Sequence, residues 1–267
     1  MKSNIGNIMR SQMYQLVRNR SLRAVLLGVI AVSVFFGAAD HIAGGTKNNT
    51  YDNIVLMLSM IVNLSMFTIA IVTGIVCADD FTDKTANYEL TSGRLRSESY
   101  AARAIVSVII SVLSALLMVF ALIITSFVLY PRGCSLTNAA LAQRVLLLIP
   151  VYIRISCFYV FLSYIFKRPI AVVGICYAMI TVLSIMMGMG GEGETAVEGS
   201  VLTGMGSFKM ICSFNEWYAY GLNTSTYHVY EPYVESGTAV QLVAVSLAAG
   251  ALYLLLGYSF FHRDDIQ

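Results

Sequence analysis

Three acidic residues, Asp79, Asp80 and Asp83, stand just before a helix-compatible stretch, 85–92, and Arg94 and Arg96 follow the glycine that can end it. Acid at the start and base at the end of a helix both complement its dipole, and Gly93 suits the C-terminal turn. This grouping offers mechanics, not catalysis: a short capped helix between two apolar runs is a rigid lever for a partner to grip. A solvated connection with alternating charges is the competing reading. The second candidate is Arg154, which interrupts an otherwise apolar run. A guanidinium inside a bilayer costs about 2.5–3.5 kcal/mol on insertion scales and faces a partner or a watery path. No carboxylate lies within any of the apolar runs. Its partner would then be an anionic cargo, a lipid phosphate, backbone carbonyls freed near Pro150, or an acidic residue of a neighbouring loop. The alternative starts this helix later and leaves Arg144 and Arg154 near the outer surface, because long arginines snorkel; of the two, the surface placement is favoured.

Other chemistry is sparse. No glycine-rich loop ends in Gly-Lys-Ser or Gly-Lys-Thr to cradle phosphates, so ATP hydrolysis would have to occur on another polypeptide. No His-Glu-x-x-His motif is present, and His41, His228 and His262 are far apart in the chain, so no metal site is expected. Ser107, Ser111 and Ser114 have no histidine nearby to activate them and read as small packing residues between helices. Cys77, Cys157 and Cys176 fall in or beside apolar runs, where cysteine packs as a small hydrophobe. Cys134 and Cys212 map to the opposite, external side, where a disulfide can persist in an oxidising compartment; a bridge and two free thiols are both open.

The elements that position these residues are membrane spans. Of 267 residues, 57% are hydrophobic and only 12% charged, too few polar groups to cover a soluble protein. Six long apolar runs, about 22–39, 54–78, 104–129, 141–166, 169–189 and 238–261, each approach or exceed the roughly 20 residues needed to cross hydrocarbon. Lys2, Arg10, Arg18, Arg20 and Arg23 precede the first run; Lys84, Arg94, Arg96 and Arg103 lie between the second and third; Lys167 and Arg168 follow the fourth; Arg263 follows the last. The other set of loops holds only Lys47, Arg132 and Lys209, so both termini are expected in the cytoplasm. This asymmetry hides within a net charge of +2, which gives no case for nucleic-acid binding. The expected fold is an all-α membrane protein with six transmembrane helices, residues 79–103 as a cytoplasmic loop and 190–237 as an external one.

A cleaved signal peptide competes for the first run, since Gly37, Ala38 and Ala39 fit its outline. Its removal would put Arg263 on the wrong side, so a retained span is preferred. Within residues 1–21, Ile5, Ile8, Met9, Met13, Leu16 and Val17 recur at helical spacing, which suits an amphipathic helix lying on cytoplasmic headgroups. A plain basic topology signal is the alternative.

The stretch from Asp80 to Arg96, followed by Tyr100 and Arg103, resembles the loop of ABC-2 type permeases, with Thr85, Leu90, Arg96 and Arg103 at matching places. Lys84 stands where that family usually has glycine. The ending Phe260-Phe261-His262-Arg263-Asp264-Asp265 and the stretch 16–23 also look like the family's C-terminus and its approach to the first helix. The resemblance implies one subunit of an exporter in a bacterial plasma membrane. Two copies, or this chain and a homologous permease, would face each other across a path. Each would dock its loop into a separate ABC ATPase that carries the ATP and Mg. Asp83, Thr85, Glu89, Leu90, Arg94 and Arg96 would then couple the ATPase, and residues 201–220 would fold partly back into the membrane as short helices. Peptide or drug efflux is the preferred cargo, because no long insertion for lipid-linked sugar is present. A secondary transporter or channel is the other membrane reading, although ion coupling usually leaves carboxylates or histidines at mid-membrane.

Overall fold

The computed structural model describes residues 5–42, 49–78, 96–133, 136–189, 207, 211–212, 216–220, 226–230 and 233–263. Among them are seven α-helices: α1 (Ile5–Arg18), α2 (Arg20–Ile42), α3 (Thr50–Thr73), which continues into a π-helical turn (Gly74–Ala78), α4 (Arg96–Leu129), α5 (Asn138–Phe166), α6 (Pro169–Met189) and α7 (Ser236–Arg263). A ribbon of two antiparallel strands, β1 (Glu216–Tyr220) and β2 (Thr226–Tyr230), lies between the last two. Five helical stretches are long and apolar enough to cross a membrane: Arg20–Ala39, Thr50–Cys77, Ser97–Leu129, Asn138–Phe166 and Ser236–His262. That is the pattern of a multi-pass membrane protein. The sixth expected span coincides with α6, whose described side chains form a shorter apolar helix, Pro169–Met179.

Burial sorts these helices into centre and rim. In α5 and α3, 67% and 56% of the most apolar window is buried, against 22% for α2 and α7. Ile54, Leu58, Ile61 and Met66 of α3 meet Met118 and Leu122 of α4 and Leu148, Val151 and Tyr152 of α5 in one core. Outward-facing apolar side chains such as Leu27, Leu113, Ile170 and Leu255 are exposed, an arrangement that suits hydrocarbon and not water.

Helix limits depart from the apolar runs wherever polar residues are satisfied by neighbours. α3 opens at Thr50, earlier than the expected 54, because the Thr50 amide donates to the Pro131 carbonyl (3.0 Å) and the Tyr51 hydroxyl donates to Asn138 Oδ1 (2.6 Å). Asn53, expected in a polar loop, is fully buried and donates to the Gly37 carbonyl (3.1 Å) and to Ser126 Oγ (2.9 Å). It ties α2, α3 and α4 together. α5 likewise begins at Asn138, with Thr137 accepting from the Ala140 amide (3.3 Å) as its N-cap. At its other end Lys167 takes a left-handed conformation (φ 52°), its amide donating to the Ser163 carbonyl (2.9 Å), and Pro169 opens α6 two residues later.

The largest revision concerns residues 79–103. α4 starts at Arg96, so 96–103 is helix and not loop, and Arg103 is buried inside the bundle. At 34 residues α4 is about 51 Å long, well beyond the roughly 30 Å of hydrocarbon. α1 packs chiefly along α4. Its Ile8, Gln12 and Leu16 face protein, whereas Met13, Tyr14 and Val17 are exposed. Part of the face expected to lie in lipid is therefore taken by the bundle. Asn19 makes the break before α2, its Oδ1 accepting from the amides of Ser21 (2.8 Å) and Leu22 (3.3 Å).

Within the expected external stretch, Glu216–Tyr220 is a strand where a short helix was anticipated. The segment EWYAY and its partner TYHVY are rich in aromatic and β-branched residues, which favour a pleated ribbon.

Candidate functional site

α5 and α7 run parallel along a continuous seam. Gln143 Nε2 donates to the Val234 carbonyl (3.3 Å), and the Val234 amide donates back to Gln143 Oε1 (3.3 Å). Further along, a Cβ on Gly250 would lie 3.7 Å from Arg154 Cα and 3.6 Å from Cys157 Sγ. Phe158 meets Tyr253 edge-on at 5.2 Å, and Tyr164 meets Phe261 at 5.3 Å. The contacts at Gly250 are ordinary ones, whereas a Cβ on Gly257 would lie 2.7 Å from Tyr100 Oη, so it is at 257 that a small residue is needed for the close packing.

Arg154 lies in this seam, 1% exposed, and Arg144 is 2% exposed. The later start that the surface placement supposed is not found: α5 starts at Asn138, before the expected 141, and both guanidinium groups turn into protein. Arg154 is sixteen residues, about 24 Å, from the start of a helix some 43 Å long, which is close to mid-depth. Arg154 Nη2 donates to Ser207 Oγ (2.8 Å), while its Nε has no protein partner. Arg144 Nη1 donates to the Ile211 carbonyl. Ser207 and Ile211 are thereby tied to α5, with Ile211 fully buried and Ser207 8% exposed. By the parallel register, Ser246 of α7 is level with Pro150, one turn from Gly250 on the same face, and its buried hydroxyl has no partner. A guanidinium at mid-depth, flanked by hydroxyls and lacking any carboxylate partner among the described residues, can hold an anionic oxygen.

The remaining expected residues are less visible. Asp83, Thr85, Glu89, Leu90 and Arg94 lie outside the described residues, and Arg96 is the first residue of α4. Cys134 also lies outside them, and Cys212 is a free thiol. No cluster of three metal-binding side chains occurs among the described residues.

Ser107, Ser111 and Ser114, read from the sequence as packing residues, are buried, and with Tyr100 and Arg103 they form one buried stripe on α4 that the sequence reading did not assemble, with Ser111 Oγ 3.0 Å from Thr73 Oγ1. Their spacing of three and four residues was the available signal. At the basic end of the bundle, where Arg20, Arg23, Arg96, Lys167, Arg168 and Arg263 gather, Tyr100 donates to the Leu254 carbonyl (2.6 Å) and packs among Tyr164, Tyr258 and Phe261.

No protein-family model matches the chain, and no curated protein matches it.

Proposed function

We propose that this chain is the permease subunit of an ATP-driven exporter of the ABC-2 type, carrying peptides or drugs outward across a bacterial cell membrane. In this reading α6 is the sixth span and both termini are cytoplasmic. A second permease copy completes the path, which runs past Arg154, and a separate ABC ATPase binds residues 79–96. The single observation that carries it is α4. This 34-residue helix runs unbroken from the basic end, where the 79–95 segment joins it, through the core to the far end. Because α1 braces it and α3 packs along it, a push at Arg96 would move the centre of the bundle as a rigid arm.

The test is the Glu89→Ala/Arg96→Ala double variant, purified with its partner ATPase. Membrane insertion should be unchanged, while cargo-stimulated ATP hydrolysis and export are lost. Unchanged export would remove the lever assignment. Cargo flux through liposomes holding this chain alone, without ATP, would favour a secondary transporter or channel.

A further inference from the structure

Among the described residues, Arg154 joins three properties: near-complete burial at mid-depth, a neutral hydroxyl as its hydrogen-bond partner, and an Nε without a protein partner. A guanidinium has five donors in a rigid fork and is matched by an oxyanion, which accepts from two of them at once. Serine satisfies one donor and leaves the charge unbalanced in a medium where imbalance is costly. The surroundings are mixed. Cys157, Phe158 and the ring of Tyr253 offer apolar surface, the Tyr253 phenol is polar, and Ser246 adds a buried hydroxyl without a partner one turn away. Ser207 itself is buried, 8% exposed.

We propose that this site binds an amphiphile through one anionic oxyacid group, a carboxylate or a phosphate, which replaces Ser207 at Arg154. The apolar wall takes the chain of the amphiphile, and Ser246 donates to the second oxygen. Calling the bound molecule cargo rests on the transport reading; the binding itself does not.

The experiment uses the full chain in phosphatidylcholine nanodiscs, with radiolabelled dodecanoate as probe and dodecanol as its neutral counterpart. Saturable dodecanoate binding that dodecanol does not compete is expected. Arg154→Gln should weaken it at least about tenfold, the loss of one charge-assisted contact. Arg154→Lys should retain part of it, since the charge remains. Ser207→Ala, which removes the competing hydroxyl, should tighten binding several-fold. Including phosphatidylglycerol separates the two sources. Displacement of dodecanoate in wild type assigns the site to a lipid phosphate, and no displacement assigns it to a free carboxylate amphiphile. Equal competition by dodecanol, wild-type binding by Arg154→Gln, or weakened binding in Ser207→Ala would overturn the proposal. Arg154-dependent binding by a chain that shows no ATP-coupled export would leave the site standing and remove the exporter reading.

Discussion

Gly257→Ala tests the packing at the basic end of the bundle most directly. An added Cβ would lie 2.7 Å from Tyr100 Oη, inside the contact limit for carbon and oxygen, whereas the next neighbours, Phe161 Cα at 3.5 Å and Tyr100 Cζ at 3.6 Å, are ordinary contacts. The tyrosine cannot swing aside. Its hydroxyl is tied to the Leu254 carbonyl at 2.6 Å, and its ring is held by Tyr164 at 4.8 Å and Tyr258 at 5.5 Å. The single variant should therefore lose about 1–3 kcal/mol, the usual cost of overpacking. Tyr100→Phe removes the clashing oxygen and with it one hydrogen bond, at about 1 kcal/mol. The double variant should lose only about 1 kcal/mol, so the two changes are strongly non-additive. Unfolding free energies of the four proteins, measured by titrating denaturing detergent into micelles, complete the cycle. Additivity within about 0.5 kcal/mol would refute the contact as the cause.

Asn53→Ala should destabilise the bundle by about 1–2 kcal/mol in the same assay, because two interhelical hydrogen bonds disappear from a fully buried site. Lys167→Ile should be less stable than Lys167→Gly by about 1–2 kcal/mol, since a β-branched residue is poorly tolerated at φ 52°; equal stability would show that the turn relaxes.

Much of the bundle was legible because lipid imposes a simple requirement: each crossing segment must be apolar over a fixed length and satisfy its own backbone. Leu22 to Ala39, or Ala104 to Leu129, announces that by composition alone. The same rule misplaced the helix ends. Thr50 to Asn53 and Arg96 to Arg103 read as loop since they are polar, yet Asn53 and Arg103 are buried in helices. Composition records a residue's own polarity and says nothing of the partner that offsets it.

Arg154 shows the division most clearly. Its identity and its apolar neighbours made it a candidate from the chain alone, with a buried and a surface position both open. The choice depended on residues such as Gly250, which packs α7 against Arg154, and Ser207, which is 53 positions away in sequence. Sequence by itself determined that the chain has long apolar helices with basic residues gathered at alternate ends, because hydrophobic length and charge are local properties. Only the tertiary structure decided which helices are central, which polar groups meet, and where the guanidinium points, because those depend on contacts between segments whose spacing in the chain carries no distance information.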